Sequence, residues 1–71
     1  MKNNWNKTNP NWWFYGLANY KWISVYPERN TWMIFHQSSS GLVKTVDFGN
    51  ADSPEEACDK AIEKATKLGF I

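Results

Sequence analysis

The stretch Ser53-Pro54-Glu55-Glu56 constrains this chain more than any other. A serine N-cap accepts a hydrogen bond from an otherwise unpaired N–H of the first helical turn. Proline suits the first helical position, and glutamate at the third completes a capping box beside the positive end of the helix. Gly69 supplies a left-handed stop, so the spacing predicts a helix over Pro54–Leu68. At 100° per residue, Ala57, Cys58, Ala61, Ile62, Ala65 and Leu68 fall in one arc, and Glu55, Glu56, Asp59, Lys60, Glu63, Lys64 and Lys67 in the other. The alanines allow close approach to a layer that carries bulky side chains. Glu56–Lys60 and Glu63–Lys67 mark the opposite arc as solvated, each pair contributing only about 0.2–0.5 kcal/mol.

That layer is a sheet. Lys21–Tyr26, Thr31–Gln37 and Leu42–Phe48 are rich in β-branched and aromatic residues, and they are separated by Pro27-Glu28-Arg29-Asn30 and Ser38-Ser39-Ser40-Gly41. Both separators have turn chemistry and hairpin length, which predicts an antiparallel meander. Trp12-Trp13-Phe14-Tyr15, ahead of Gly16, reads either as a further edge strand or as one helical turn packed on the sheet. Residues 1–11 are polar and asparagine-rich with Pro10, and read as a flexible arm whose Trp5 docks on the domain or on a partner. The expected fold is α+β in βββα order: a three-stranded, or with Trp12–Tyr15 four-stranded, antiparallel sheet on one C-terminal helix, forming a single domain over residues 12–71.

A 71-residue chain holds one core, and domains of this size bury only about 60% of their unfolded surface. Five tryptophans, four phenylalanines and three tyrosines offset that, since each buries roughly 150–250 Å² when internal. The lone Cys58 excludes an internal disulfide and a multi-cysteine zinc site, and it fits a reducing compartment. No secretory core or apolar run near about 18 residues is present, so the expectation is a cytoplasmic protein with no membrane partner. The net charge is +1. Lys2, Lys7, Lys21 and Arg29 face only Glu28 in the first half, while the second half is acidic, which is not the footprint of a protein held by phosphates.

Side chains alternate along strands, so the meander has two faces. A register that sets Val25 opposite Met33 gathers Ile23, Val25, Met33, Phe35, Val46 and Phe48 on one face, the natural cover for the helix. It leaves Trp22, Ser24, Tyr26, Trp32, Ile34, His36, Val43, Thr45 and Asp47 on the other. A one-residue slip, pairing Val25 with Trp32, would scramble the two sets. The second face is open unless Trp12–Tyr20 folds across it. Open, its tryptophans would be interface residues.

Little in the chain suggests catalysis. His36, the only histidine, has Asp47 as its one candidate partner, with no nucleophile or second metal ligand beside them. Cys58 lies in the apolar arc of the helix, away from the N-terminus that would activate it. Ser38–Gly41 lacks the lysine and following helix of a phosphate loop. The expectation is no enzyme, no cofactor and no metal.

Two resemblances bear on function. Tyr20-Lys21-Trp22, Thr31-Trp32-Met33-Ile34, Phe48-Gly49 and Ser53-Pro54-Glu55-Glu56-Ala57 resemble, over roughly residues 20–66, the ethylene-response-type plant DNA-binding domain and its relatives in phage endonucleases and integrase arms. That resemblance implies a sheet face entering the major groove, although here the face carries Trp22 and Trp32 without the arginines of that family. Trp5 to Tyr20 ahead of the sheet and a Ser-Pro-Glu-Glu-Ala helix are similar to small phage-encoded α-β-α sandwich proteins, a family without an assigned activity. By analogy, compact tryptophan-rich domains occur among phage accessory proteins that inhibit host defence or transcription.

The resulting expectation is a non-enzymatic binding module, a phage or mobile-element accessory protein that binds and modulates a host protein. Its contacts are expected at Trp22, Tyr26, Trp32 and His36, with Trp5 and Arg29 at the rim. The alternative is a nucleic-acid-binding module. In that reading Lys21, Arg29, Lys44 and the N-terminal lysines Lys2 and Lys7 hold the backbone while Trp22 and Trp32 stack on bases at about 1–3 kcal/mol per base.

Overall fold

A computed structural model describes residues 5–71. Lys2, among the expected backbone contacts, lies outside the described residues. The fold is α+β, and the described residues form five antiparallel strands in the order β1-β2-β3-β4-β5 and one C-terminal helix. The strands are β1 (Asn6–Asn9), β2 (Trp12–Leu17), β3 (Lys21–Tyr26), β4 (Thr31–Gln37) and β5 (Val43–Asn50), followed by α1 (Pro54–Lys67). The sheet is therefore larger than the three or four strands expected. Asn6–Asn9, expected to belong to an arm, pairs with β2 as an edge strand, with irregular register between Asn6 and Asn9. Asn6 and Asn9 shape this hairpin through side chains that accept the N–H groups of Thr8 and Asn11.

Both ends of the helix follow from its sequence. Ser53 Oγ accepts the Glu56 N–H at 3.1 Å. The Glu56 carboxylate reaches one residue further back than in the usual box, to the Asp52 N–H at 2.8 Å. At the other end Leu68 is the C-cap and Gly69 has φ +80°, with Gly69 N–H on Thr66 O and Phe70 N–H on Ala65 O, the two bonds of a Schellman ending. Ala57, Ala61 and Ala65 are fully buried, so the helix lies close on the sheet. It packs against β3, β4 and β5.

The register of the central hairpin corrects the expected division of faces. Tyr26 pairs with Thr31, closing a four-residue loop in which Arg29 N–H bonds to Tyr26 O and Asn30 takes φ +51°. Asparagine tolerates that left-handed position better than most residues. Val25 therefore faces Trp32, not Met33, and the whole of β4 turns over. Trp32, Ile34 and His36 point to the helix side, and Met33, Phe35 and, through Met33, Phe48 point away from it. A bulge at Val46 keeps that half-buried residue against the core. The core is Ile23, Val25, Trp32, Ile34, Ala57, Cys58, Ala61 and Ala65, flanked by Trp5, Trp13, Tyr15 and Leu17 where the sheet extends beyond the helix.

Candidate functional site

Trp12–Leu17 adds to the sheet edge as β2 and does not cross the second face, so among the described residues that face has no covering layer. The cross-strand pairs place Trp12, Phe14, Trp22, Ser24, Tyr26, Met33, Phe35 and Phe48 on it. Trp12 is 42% and Phe48 67% exposed, while Phe14, Trp22, Tyr26, Met33 and Phe35 are half-buried because they lie against one another. Trp22 and Phe35, directly opposite on β3 and β4, have ring centroids 5.5 Å apart. Trp12 and Phe14 meet edge to face at 5.8 Å. Such pairs are worth about 0.5–1.5 kcal/mol beyond the area they bury.

Three polar members of the face, Ser24, Thr31 and Gln37, are already paired. Ser24, at its centre and 1% exposed, accepts the Trp12 indole N–H at 2.9 Å. Thr31 Oγ1 bonds to Asn50 Oδ1 at 2.9 Å, and Gln37 Nε2 to Gly41 O at 3.4 Å. Two open recesses flank the aromatic centre. One, of about 640 Å³, is lined by Asn6, Thr8, Asn9, Pro10, Trp12 and Phe14. The other, of about 460 Å³, is lined by Asn11, Tyr26, Glu28, Arg29, Thr31 and Met33.

Every charged residue in the five strands falls on the helix side. Lys7 Nζ lies 4.2 Å from the Trp13 ring centre and Lys21 Nζ 4.9 Å from that of Phe70. Lys44 lies cross-strand from His36. Asp47 holds Lys64 at 3.3 Å and accepts the Phe48 N–H at 2.8 Å. The Phe48 N–H, helped by Lys64, keeps the Asp47 carboxyl below its ordinary value of 3.8. Among the described residues the open face therefore has an uncharged surface, with Glu28 and Arg29 only at its end.

The expected contact residues separate accordingly. Trp22 and Tyr26 lie on the open face, and Arg29 sits in the turn at its end. Trp32 does not join them. It is 7% exposed and lies in the core, opposite Gly49, where a Cβ would come within 2.7 Å of the indole. His36 faces the helix side opposite Lys44, and Asp47 lies opposite Ile34, so these two are not cross-strand partners. Trp5 packs on Tyr15, with ring centroids 5.1 Å apart, also on the helix side. The sequence reading missed Trp12, Phe14, Met33, Phe35 and Phe48 as face residues. For Met33 and Phe35 the signal was the four-residue loop, whose closing pair Tyr26 and Thr31 sets the facing of β4, whereas Phe48 depends also on the bulge at Val46 and Trp12 and Phe14 on the pairing of β2 with β3.

Cys58, 6% exposed, has its thiol pushed up by burial from 9.0 to about 11. Among the described residues no three His, Cys, Asp or Glu side chains gather as metal ligands, and no helix is long and apolar enough to cross a membrane. Comparison with protein families, with curated proteins and with solved structures finds no match for this chain.

Proposed function

We propose that this chain is a non-enzymatic protein-binding module whose docking surface is the open sheet face built around Trp22, Phe35, Met33, Phe14, Trp12 and Phe48. The observation that carries the proposal is an aromatic face with no charged strand residue and, among the described residues, no covering layer. Monomeric soluble proteins seldom leave a contiguous apolar patch of several hundred Å² unused, and Trp and Tyr dominate interface energetics. Covering the centre of this face costs little in desolvation at Ser24, Thr31 and Gln37, which already have partners. Lys7 and Lys21 lie over rings on the opposite side, so cations and open aromatics are segregated, whereas single-stranded nucleic acid needs them side by side. The buried, high-pKa thiol of Cys58 fits a structural role, as a thiolate nucleophile would need the reverse. An accessory protein of a phage or mobile element, binding and modulating a host protein, is the setting we assign on resemblance alone.

The test compares wild type with Trp22→Ala and with the distant control Lys67→Ala, each first shown to be folded by circular dichroism. A host protein retained by wild type and by Lys67→Ala but released by Trp22→Ala is the expected result. Equal retention by Trp22→Ala would sink the proposal. Binding of oligonucleotides that falls steeply with salt, measured by anisotropy, would overturn it in favour of nucleic acid.

A further inference from the structure

We infer that the occupant of the open face is a second copy of this chain, packed sheet on sheet about a twofold axis that lies between the copies and runs along β3. This rests on the reading of the face as a docking surface and names what docks there. The strand residues of the face are uncharged, so its centre can meet itself without like-charge repulsion, and charge enters only through Glu28 and Arg29 in the turn at its end. Its paired polar groups can also be covered without being orphaned.

Shape adds a second reason. Cross-strand pairing sets the side chains in rows. Asn6, Phe14, Ser24, Met33 and Phe48 form one row from β1 to β5, and Gly16, Trp22, Phe35 and Thr45 form the next. A twofold axis along β3 keeps each row at its own height while laying β5 of one copy over β1 and β2 of the other. Phe48, the most exposed ring of the face, then stands over the recess lined by Asn6, Thr8, Pro10, Trp12 and Phe14 of the other copy. Phe35 stands over Gly16, which has no side chain, and Trp22 meets its counterpart on the axis. The low centre at buried Ser24 faces itself. Projection meets depression twice, as an isologous contact requires. An axis across the strands would instead set Phe48 on Phe48 and leave the recess empty.

Size and the sheet edges agree. Five strands of about six residues cover roughly 20 by 20 Å at usual spacings, or about 400 Å² of flat footprint per copy before side-chain relief is added. Side-chain relief must raise this to more than roughly 500 Å² per copy to reach the low end of specific interfaces, so the dimer is a weak one. The edges are poor alternatives. β1 is short and irregular, and β5 is bulged, with the Asp47 carboxylate on the Phe48 N–H. Any other partner reaches the face only by displacing the second copy, so its apparent affinity falls as chain concentration rises.

Sedimentation velocity over the micromolar range tests this. Wild type dimerises, Phe48→Glu weakens the dimer about thirtyfold or more, and Ile71→Glu, at a comparably exposed residue outside the face, leaves it unchanged. In a Cys58→Ala background, oxidising a mixture of Thr8→Cys and Phe48→Cys chains links one to the other, while neither links to itself. A wild type that stays monomeric, a dimer indifferent to Phe48→Glu, or Phe48→Cys linking to itself would each overturn the inference. If wild type is monomeric yet a host protein is lost with Trp22→Ala, the second copy is ruled out and the docking surface stands. If that protein is retained by Trp22→Ala, the docking surface is ruled out as well.

Discussion

Replacing Trp32 separates a core tryptophan from a surface one, and the structure sets the size of the effect. Trp32 is 7% exposed, lies over Gly49, and has an indole N–H with no hydrogen-bond partner among the described residues. Truncating a buried tryptophan to alanine costs about 3–5 kcal/mol, but here it also removes an unsatisfied donor whose burial costs about 1–3 kcal/mol. The net expectation for Trp32→Ala is a loss of about 2 kcal/mol, a large part of the roughly 4–10 kcal/mol available to a chain of this length. Trp32→Phe gives up some packing and sheds the orphan donor, so it should stay within about 1 kcal/mol of wild type. Trp22→Ala, at a half-buried site, should cost about 1 kcal/mol. Urea unfolding followed by far-ultraviolet circular dichroism measures all three. With a slope of about 1 kcal/mol/M, Trp32→Ala shifts the midpoint by about 2 M. A loss below about 1 kcal/mol for Trp32→Ala, or Trp32→Phe as damaging as alanine, would refute the core placement and the role given to the unpaired N–H.

Gly49→Ala should destabilise by about 1–3 kcal/mol, because its Cβ would meet the Trp32 indole at 2.7 Å. In the same unfolding assay, its cost should shrink in a Trp32→Phe background, showing the two sites to be coupled. Cys58, with its thiol raised by burial from 9.0 to about 11, should react with iodoacetamide at pH 8 at least about 100-fold more slowly in the folded chain than in urea. The raised value favours the folded state fully below pH 9, and that contribution is lost as pH rises toward 11, so the stability of wild type relative to Cys58→Ala should fall over that range.

Local chemistry was legible in the sequence. Ser53, Pro54 and Gly69 mark the helix, observed as Pro54–Lys67 with Leu68 as its cap, and Lys21–Tyr26 and Thr31–Gln37 are strands to the residue. Long-range pairing was not. One residue of slip in the central hairpin exchanged Trp32 for Met33 between core and face, because both are large and apolar and neither betrays its side. Nor did Asn6–Asn9 declare itself a strand. All four residues are exposed, so no alternation of apolar residues distinguishes them, and the strand exists because β2 offers it an edge. The candidate site inherited both difficulties. Trp22 and Tyr26, on the strand whose facing did not change, were found, and Phe35, on the strand that turned over, and Phe48, beyond the bulge in β5, were not.

The spatial order of the strands is also their order along the chain, and this has a kinetic consequence. Every strand pairs with its immediate predecessor, so each hairpin closes a short loop and no pairing waits for a distant segment. Such a meander should assemble by successive zipping, with rates set by turn formation. The helix differs, because it bridges β3, β4 and β5 and seals Ile23, Val25 and Ile34 only once all three strands are side by side. Its docking is then the step that turns a fluctuating sheet into a native one. Substitutions at Ala57, Ala61 or Ala65 should therefore register mainly in the unfolding rate, and those in the Pro27–Asn30 turn in the folding rate.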